Sequence, residues 1–243
     1  MAGEKPPLLK PFLLLLPLSL LFFILLHSRP STTSTSISFS TPSASSPFIR
    51  IRRAFPSYDE YLKLQLNKTL NPHLRHLWAT RDWDRKLLVF SQIFSRLQSR
   101  HLLTNTSRAL CIGARLGQEV AALKKVGVVD SIGMDLVPSP PLVVKGDFHK
   151  QPFKSNSFDF EFSNVFDHAL YPDRFIGEVE RTLKPGGVAV IHVALHRRGD
   201  KYSANDLLGV DGIVGLFKQS DLVSTEKVDA FGLDTEVVLK KRS

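Results

Sequence analysis

Two glycines, Gly113 and Gly117, separate an apolar tetrapeptide from a helix-like run, and an acid, Asp135, closes the next apolar segment. Glycine accepts positive φ and carries no Cβ, so a turn built on Gly113 and Gly117 lets backbone amides approach a ligand at a helix amino terminus. A plain strand–helix turn accounts for one such glycine, not for both. Asp135 follows Ile132 and Met134. A carboxylate there is costly unless it finds donors. The two hydroxyls of a ribose supply them, and a helix cap or a surface position is the alternative. Further on, Phe166-Asp167-His168 follows another apolar stretch. The unperturbed pKa of histidine, near 6.5, suits His168 to take a proton from an oxygen or nitrogen nucleophile. A loop histidine bonded to backbone is the competing reading. His149, His192 and His196 have weaker claims, and no spacing of His, Asp and Glu matches a metal site.

These residues need elements to position them. Ala109 to Ile112 reads as a strand, Gln118 to Val126 as a helix, Ser131 to Asp135 as a second strand and Ser157 to Phe162 as a fourth, with Val188 to Val193 as the fifth. The third is short and gives Gly146-Asp147. Before them, Tyr58 to Leu66 and Pro72 to Trp78 read as short helices. Thr80 is placed to N-cap a longer helix from Arg81 to about Leu103, whose Trp83, Leu87, Phe90, Phe94 and Leu97 share one face. Pro172 opens a helix with Phe175, Ile176, Val179 and Leu183 in one stripe, stopped by Lys184-Pro185-Gly186-Gly187. Asn205 to Phe217 reads as a helix, and Val223 to Ala230 and Thr235 to Lys240 as a closing strand pair. Alternating strands and helices predict a mostly parallel α/β sheet covered on both faces, with ligands bound beyond the carboxyl ends of the strands.

In order, Ile112-Gly113-x-x-x-Gly117, Asp135, Asp147 before Pro152-Phe153, Ser157-Phe158-Asp159 and Arg181-x-Leu183-Lys184-Pro185-Gly186-Gly187 resemble the class I S-adenosylmethionine-dependent methyltransferases, most of all their type 11 branch. The resemblance implies a Rossmann-like, seven-stranded sheet with S-adenosylmethionine as cofactor. It implies Gly113, Arg115, Gly117, Asp135, Asp147, Phe148 and Asn164 as the cofactor-binding set. Asp135 takes the ribose, Asp147 the adenine amino group, Phe148 forms a stacking wall and Asn164 lines the methionine end. His168 occupies the place where many relatives put substrate-facing groups. Relatives usually carry an acid where Cys111 stands and a glycine where Arg115 stands. The Arg115 guanidinium matches the planar geometry of the methionine carboxylate. Residues 137–142, rich in proline, are too few for the usual helix between the second and third strands, so that crossover is shortened.

Charge and composition divide the chain further. The net charge is +9, but residues 1–53 hold six Lys/Arg and one acid, so the remainder is only mildly basic. That argues against a nucleic-acid partner, which needs a clustered basic face. Cys111 is the single cysteine, which excludes an internal disulfide and a cysteine-built zinc site. Pro11 to Leu26 is an uncharged apolar run preceded by Lys5 and Lys10. It reads as a signal anchor within residues 1–30, with a cleaved signal peptide as the alternative. The positive flank favours a cytosolic amino end and a single-pass type II arrangement in the Golgi or endomembranes. In that orientation the sequons at Asn67 and Asn105 become meaningful. Residues 31–53, led by a Ser/Thr/Pro tract, read as a flexible stem, and 54–243 as the methyltransferase-like domain. The acceptor is expected to be a small molecule or a glycan. A degenerate scaffold and a nicotinamide oxidoreductase are the competing functions. The second wants G-x-G-x-x-G, and Arg115 and Gln118 stand at its later glycines.

Overall fold

A computed structural model describes residues 47–195 and 199–243. The expected anchor, most of the expected stem and His196 lie outside the described residues. Nine strands are described: β1 (Ile49–Ile51), β2 (Ala109–Ile112), β3 (Ser131–Asp135), β4 (Val143–Lys145), β5 (Phe158–Ser163), β6 (Leu183–Val193), β7 (Asn205–Leu207), β8 (Ser220–Ala230) and β9 (Leu233–Lys241). The helices are α1 (Tyr58–Thr69), α2 (Pro72–Ala79), α3 (Trp83–Ser99), α4 (Gln118–Lys125), α5 (Pro172–Thr182) and α6 (Val210–Val214), with a 3-10 turn at Phe166–His168.

Seven strands form one sheet in the order β4-β3-β2-β5-β6-β9-β8. Neighbours from β4 to β6 are parallel, and β9 runs antiparallel to both β6 and β8. Alternation along each strand sends side chains to opposite faces. Ala109 and Cys111 of β2 join Phe90, Phe94 and Leu97 of α3 and Val120 and Leu123 of α4 in one core. Leu110 and Ile112 point the other way, into a second core with Phe175, Ile176 and Val179 of α5 and Ile213 of α6. Each fully buried Phe of these cores contributes on the order of 1.5–3 kcal/mol.

The shortened crossover is present. Residues 136–142 carry no helix, and Ser139 pairs with Val143 in an isolated bridge. A parallel return needs a dozen residues when it spans a whole strand. Here β4 pairs only with Gly133 to Asp135 of β3, so the chain climbs back only about 7–10 Å at ~3.3 Å per residue.

Four expectations are corrected. The α3 helix starts at Trp83, not Arg81, and ends at Ser99, not near Leu103. The Thr80 hydroxyl donates back to the His76 carbonyl at 2.7 Å, so it closes α2 instead of capping α3. Asn205 to Phe217 is not one helix. Its first residues form β7, paired antiparallel with β1, and only Val210–Val214 is helical. Gly209, Gly212 and Gly215 weaken helix there, and the buried Asn205 amide donates to the Phe166 and Ala169 carbonyls. Residues 49–51, within the stretch expected as stem, form β1 and pair with β7. Lys184 to Gly187 lies inside β6, as a bulge between the pairs Phe158↔Leu183 and Phe160↔Val188, with Gly186 at φ +75°.

Glu161, in the middle of β5, is fully buried. It accepts from the Thr182 hydroxyl at 2.8 Å, but its other oxygen has no partner among the described residues. Burial lifts its carboxyl to about 8, against the pull of Thr182. Folding therefore retains a proton that the unfolded chain releases near 4.5, and stability falls as pH rises from the lower value through the higher. Glu161→Gln is expected to remove that fall. In urea titrations the variant should gain on the wild type between pH 5 and 9, as that one group titrates over this interval.

Candidate active site

The carboxyl ends of β2, β3 and β5 meet where strand order reverses. From β2 the chain crosses through α4 on one face, and from β5 through α5 on the other. The crevice between such diverging connections is the usual binding place in open α/β sheets. Gly113 (φ +76°) follows β2, Arg115 is left-handed at φ +50°, and Gly117 (φ +93°) caps α4. A Cβ on Gly113 would meet Val165 Cγ2 at 2.4 Å, and one on Gly117 would meet Leu142 Cβ at 2.7 Å. Close packing and positive φ thus already require both glycines. Arg115 holds a left-handed conformation that glycine adopts without strain.

The chamber at this crevice is floored by Gly113, Arg115, Asp135, Leu136, Phe148 and Val165. It is covered by Gln65, Lys68 and Thr69 of α1 and Trp78 of α2. Asp135 accepts from the backbone amides of Arg115 (2.9 Å) and Val137 (3.4 Å). Burial pushes its carboxyl up, and these bonds oppose the shift. Two donors leave room on a carboxylate with about four lone-pair sites. The Arg115 guanidinium sits 5.3 Å over the Trp78 ring.

Asp147 does not line the chamber. It accepts from the Tyr58 hydroxyl at 2.5 Å and from the His149 amide at 2.9 Å. His149 Nε2 accepts from the Tyr171 amide, so its proton sits on Nδ1, which donates to the Tyr58 oxygen at 2.8 Å. Burial works to raise Asp147, but the His149 and Tyr58 bonds outweigh it and hold the carboxyl below its ordinary value. This chain of bonds ties α1 to the loop after β4. Tyr61 of α1 adds a bond to the His168 carbonyl, and Gln65 one to that of Tyr202.

A second chamber of about 230 Å³ adjoins the first and shares Lys68, Arg115 and His168 with it. Asn164 and Asp167 line it from the sheet side, Lys86 from α3, and Phe231 and Leu233 from the β8–β9 hairpin. His168 Nδ1 faces two acceptors, Gln65 Oε1 at 3.1 Å and the Tyr202 carbonyl at 3.2 Å. Those neighbours assign the proton to Nδ1. Nε2 is left with its lone pair, 3.1 Å from Lys68 Nζ. Burial lowers the His168 pKa, with Lys68 and Arg115 adding to the effect and Asp167 opposing it.

The structure therefore gathers Gly113, Arg115, Asp135, Phe148, Asn164 and His168 around two joined chambers. Gly117 stands behind the turn, and Asp147 props the cover. Sequence reasoning missed Lys68, Trp78, Lys86 and Glu119. Glu119, in the first turn of α4, is 3% exposed. Asn164 donates to its Oε1 at 3.1 Å, while Oε2 has no partner among the described residues. Its charge is felt at Cys111, so a carboxylate from α4 stands beside the position where β2 carries the cysteine. Lys86 was legible as a charge on the apolar stripe of α3, between Trp83 and Phe90. No group of three or more His, Cys, Asp and Glu arranged for a metal ion occurs among the described residues.

Residues 110–191 match the family model described as a methyltransferase domain. The architecture also matches solved structures. The 1,6-didemethyltoxoflavin-N1-methyltransferase of Burkholderia thailandensis, solved with 1,6-didemethyltoxoflavin and S-adenosylhomocysteine, is similar with a TM-score of 0.60 and 15% identity. That likeness covers 80% of this chain and 95% of the other. The domain has the methyltransferase fold. An S-adenosylmethionine-dependent methyltransferase of Thermotoga maritima is similar at a TM-score of 0.51 and 17% identity, over 74% of this chain and 99% of that one. The cyclase SpnF is similar at 0.51 and 15%, over 63% and 80%. In sequence, sterol 24-C-methyltransferase of Gibberella zeae is 36% identical over 101 residues. That match spans 37% of this chain and only 26% of the relative.

Removing the Tyr58 hydroxyl takes a donor from the partly buried Asp147. Tyr58→Phe is expected to cost about 1–3 kcal/mol of stability in urea denaturation. An unchanged midpoint would show that the tie does not hold α1 in place.

Proposed function

We propose that this domain is an S-adenosylmethionine-dependent methyltransferase acting on a small-molecule acceptor. The observation that carries the reading is the first chamber, set at the reversal of strand order with Asp135 and Phe148 on its walls. The orphaned carboxylate of Glu119 supports it, because a buried acid with an unused oxygen wants a cationic donor. The ammonium of a methionine moiety is such a donor. Glu119 then does the work of the acid missing at Cys111. Asp135 accepts from the ribose hydroxyls, Phe148 offers its face to the adenine, and Arg115 offers its guanidinium to the carboxylate.

When bound, S-adenosylmethionine supplies an electrophilic sulfonium methyl group. The chain's own contribution is mainly to hold and orient, which accounts for most of the rate in such transfers. The cover formed by α1 and α2 closes part of the chamber. His168, neutral and with Nε2 unprotonated, receives the proton that the acceptor releases. Its lowered pKa keeps Nε2 unprotonated, and so free to take a proton, at pH below its ordinary value of about 6.5.

A non-catalytic scaffold is the second reading. Cys111 and Arg115, which replace the usual acid and glycine, favour it, and the placement of Glu119 weighs against it. SpnF, a cyclase of similar fold, is a reminder that fold alone does not fix the reaction.

We further propose a membrane-anchored, type II form in the endomembrane system, with a glycan as a second acceptor class. The apolar run 11–26 and its basic flank support this. Asn67 and Asn105 of the two sequons are exposed. Among the described residues no helix is long and apolar enough to cross a membrane. A mobility shift on deglycosylation of the cellular protein tests the lumenal orientation.

Calorimetric titration with S-adenosylhomocysteine tests the cofactor site. The wild type should bind at micromolar Kd, with Asp135→Ala and Glu119→Gln each weakening it about tenfold or more, since each loses a charge-assisted bond. No binding by folded protein moves the assignment to the scaffold. Once an acceptor is found, His168→Gln should lower kcat by about 10²–10⁴ with S-adenosylhomocysteine affinity kept. An undiminished kcat removes His168 from the chemistry.

A further inference from the structure

The second chamber holds a cation that the cofactor reading does not use. Lys68, Lys86 and Arg115 line it; Lys68 is paired with Asp200 and Arg115 is assigned to the cofactor above, which leaves Lys86. The chamber's two acids are already committed. Asp200 accepts from Lys68 Nζ at 2.8 Å and from the Tyr202 amide at 2.7 Å. Asp167 accepts from the Ser203 hydroxyl at 2.5 Å. Lys86 differs from the other cations. It is 6% exposed, and its ammonium makes no side-chain hydrogen bond or ion pair among the described residues. Its ammonium rests 5.5 Å from the Phe231 ring centroid. It lines the second chamber and not the first. Ala230, Phe231 and Leu233 supply apolar wall to the same chamber.

We propose that the second chamber is the acceptor site and that it selects a small acceptor bearing a carboxylate or a like anion, seated on Lys86 with its apolar body against Phe231 and Leu233. The proposal rests on the methyltransferase reading above. A buried lysine without a counter-ion is costly, and an arriving anion relieves that cost. Burial and the nearby Arg115 already pull the Lys86 ammonium down to about 8, with Glu119 and Asp82 opposing. Glu119 does not serve as the counter-ion. Its bonded oxygen is held by Asn164, and in the reading above its free oxygen faces the methionine ammonium. His168, which lines both chambers, stands between the two ligands.

The test uses the full-length protein saturated with S-adenosylhomocysteine and titrated with benzoate and with benzamide. These probes share shape and differ in charge. Benzoate is expected to bind at least tenfold more tightly than benzamide. Lys86→Met should abolish that preference and leave the Kd for S-adenosylhomocysteine within twofold of wild type. Equal affinity for the two probes, or binding of neither, overturns the proposal. So does a Lys86→Met protein that keeps the preference. A variant that loses S-adenosylhomocysteine affinity instead assigns Lys86 to the cofactor and overturns it as well. Failure of the wild type to bind S-adenosylhomocysteine is a separate result, read before any probe is added, and it removes the cofactor reading on which the proposal stands.

Discussion

Parallel pairing of β2 with β3 on one side and with β5 on the other is the constraint on which the domain depends. The connections leaving β2 and β5 must cover opposite faces, because each face of a parallel sheet has apolar side chains to bury. No connection then roofs the carboxyl edge between them. The gap that results is lined by whatever follows those strands: Gly113 to Arg115, Asp135 and Asn164. The remaining elements either deepen this gap or close it. The β8–β9 hairpin and α3 extend it into the second chamber, and α1 and α2 form its cover.

The cover explains why so many polar groups are spent away from the sheet. A helix pair laid over a polar crevice cannot be held by apolar burial alone. It is held by Tyr58 on Asp147, Tyr61 on the His168 carbonyl and Gln65 on that of Tyr202. Tyr58, Tyr61, His149 and Tyr171 pack ring to ring around those bonds. The same bonds orient His168. Gln65 of the cover and Tyr202 near β7 both accept from its Nδ1, which turns Nε2 toward the chambers. Cover and candidate base are therefore one network.

The two departures, Cys111 in β2 and Arg115 in the glycine loop, have different consequences. Arg115 keeps the left-handed backbone and turns its side chain to Trp78. The turn survives at the cost of strain, and the chamber gains a cation. β2 carries no carboxylate at Cys111, and the carboxylate of Glu119, in the first turn of α4, stands beside it. Glu119 lies close to Cys111 because the glycine turn packs the amino end of α4 against β3. A Cβ at Gly133 would meet Ala114 at 2.7 Å and Val120 at 3.0 Å.

Local periodicity was enough to read the sheet strands, α4, α5 and the shortened crossover, because alternation and helical stripes are written in neighbouring residues. Asp135 and the glycine turn were legible for the same reason, as they end local elements. Three kinds of feature were not. β1 and β7 pair over more than 150 residues, and a strand of three residues has no periodicity to betray it. Thr80 was read as a cap for α3, but its hydroxyl closes the last turn of α2 on the His76 carbonyl. The commitments of Asp147 to Tyr58, and of Glu119 to a place beside Cys111, join side chains from separate elements. Hydrogen bonds and buried charges across such distances are decided when the elements pack, since a polar group's partner depends on what surrounds it. The sequence by itself determined the sheet and where its strands end. The tertiary structure decided which charges face the crevice and which are spent holding it shut.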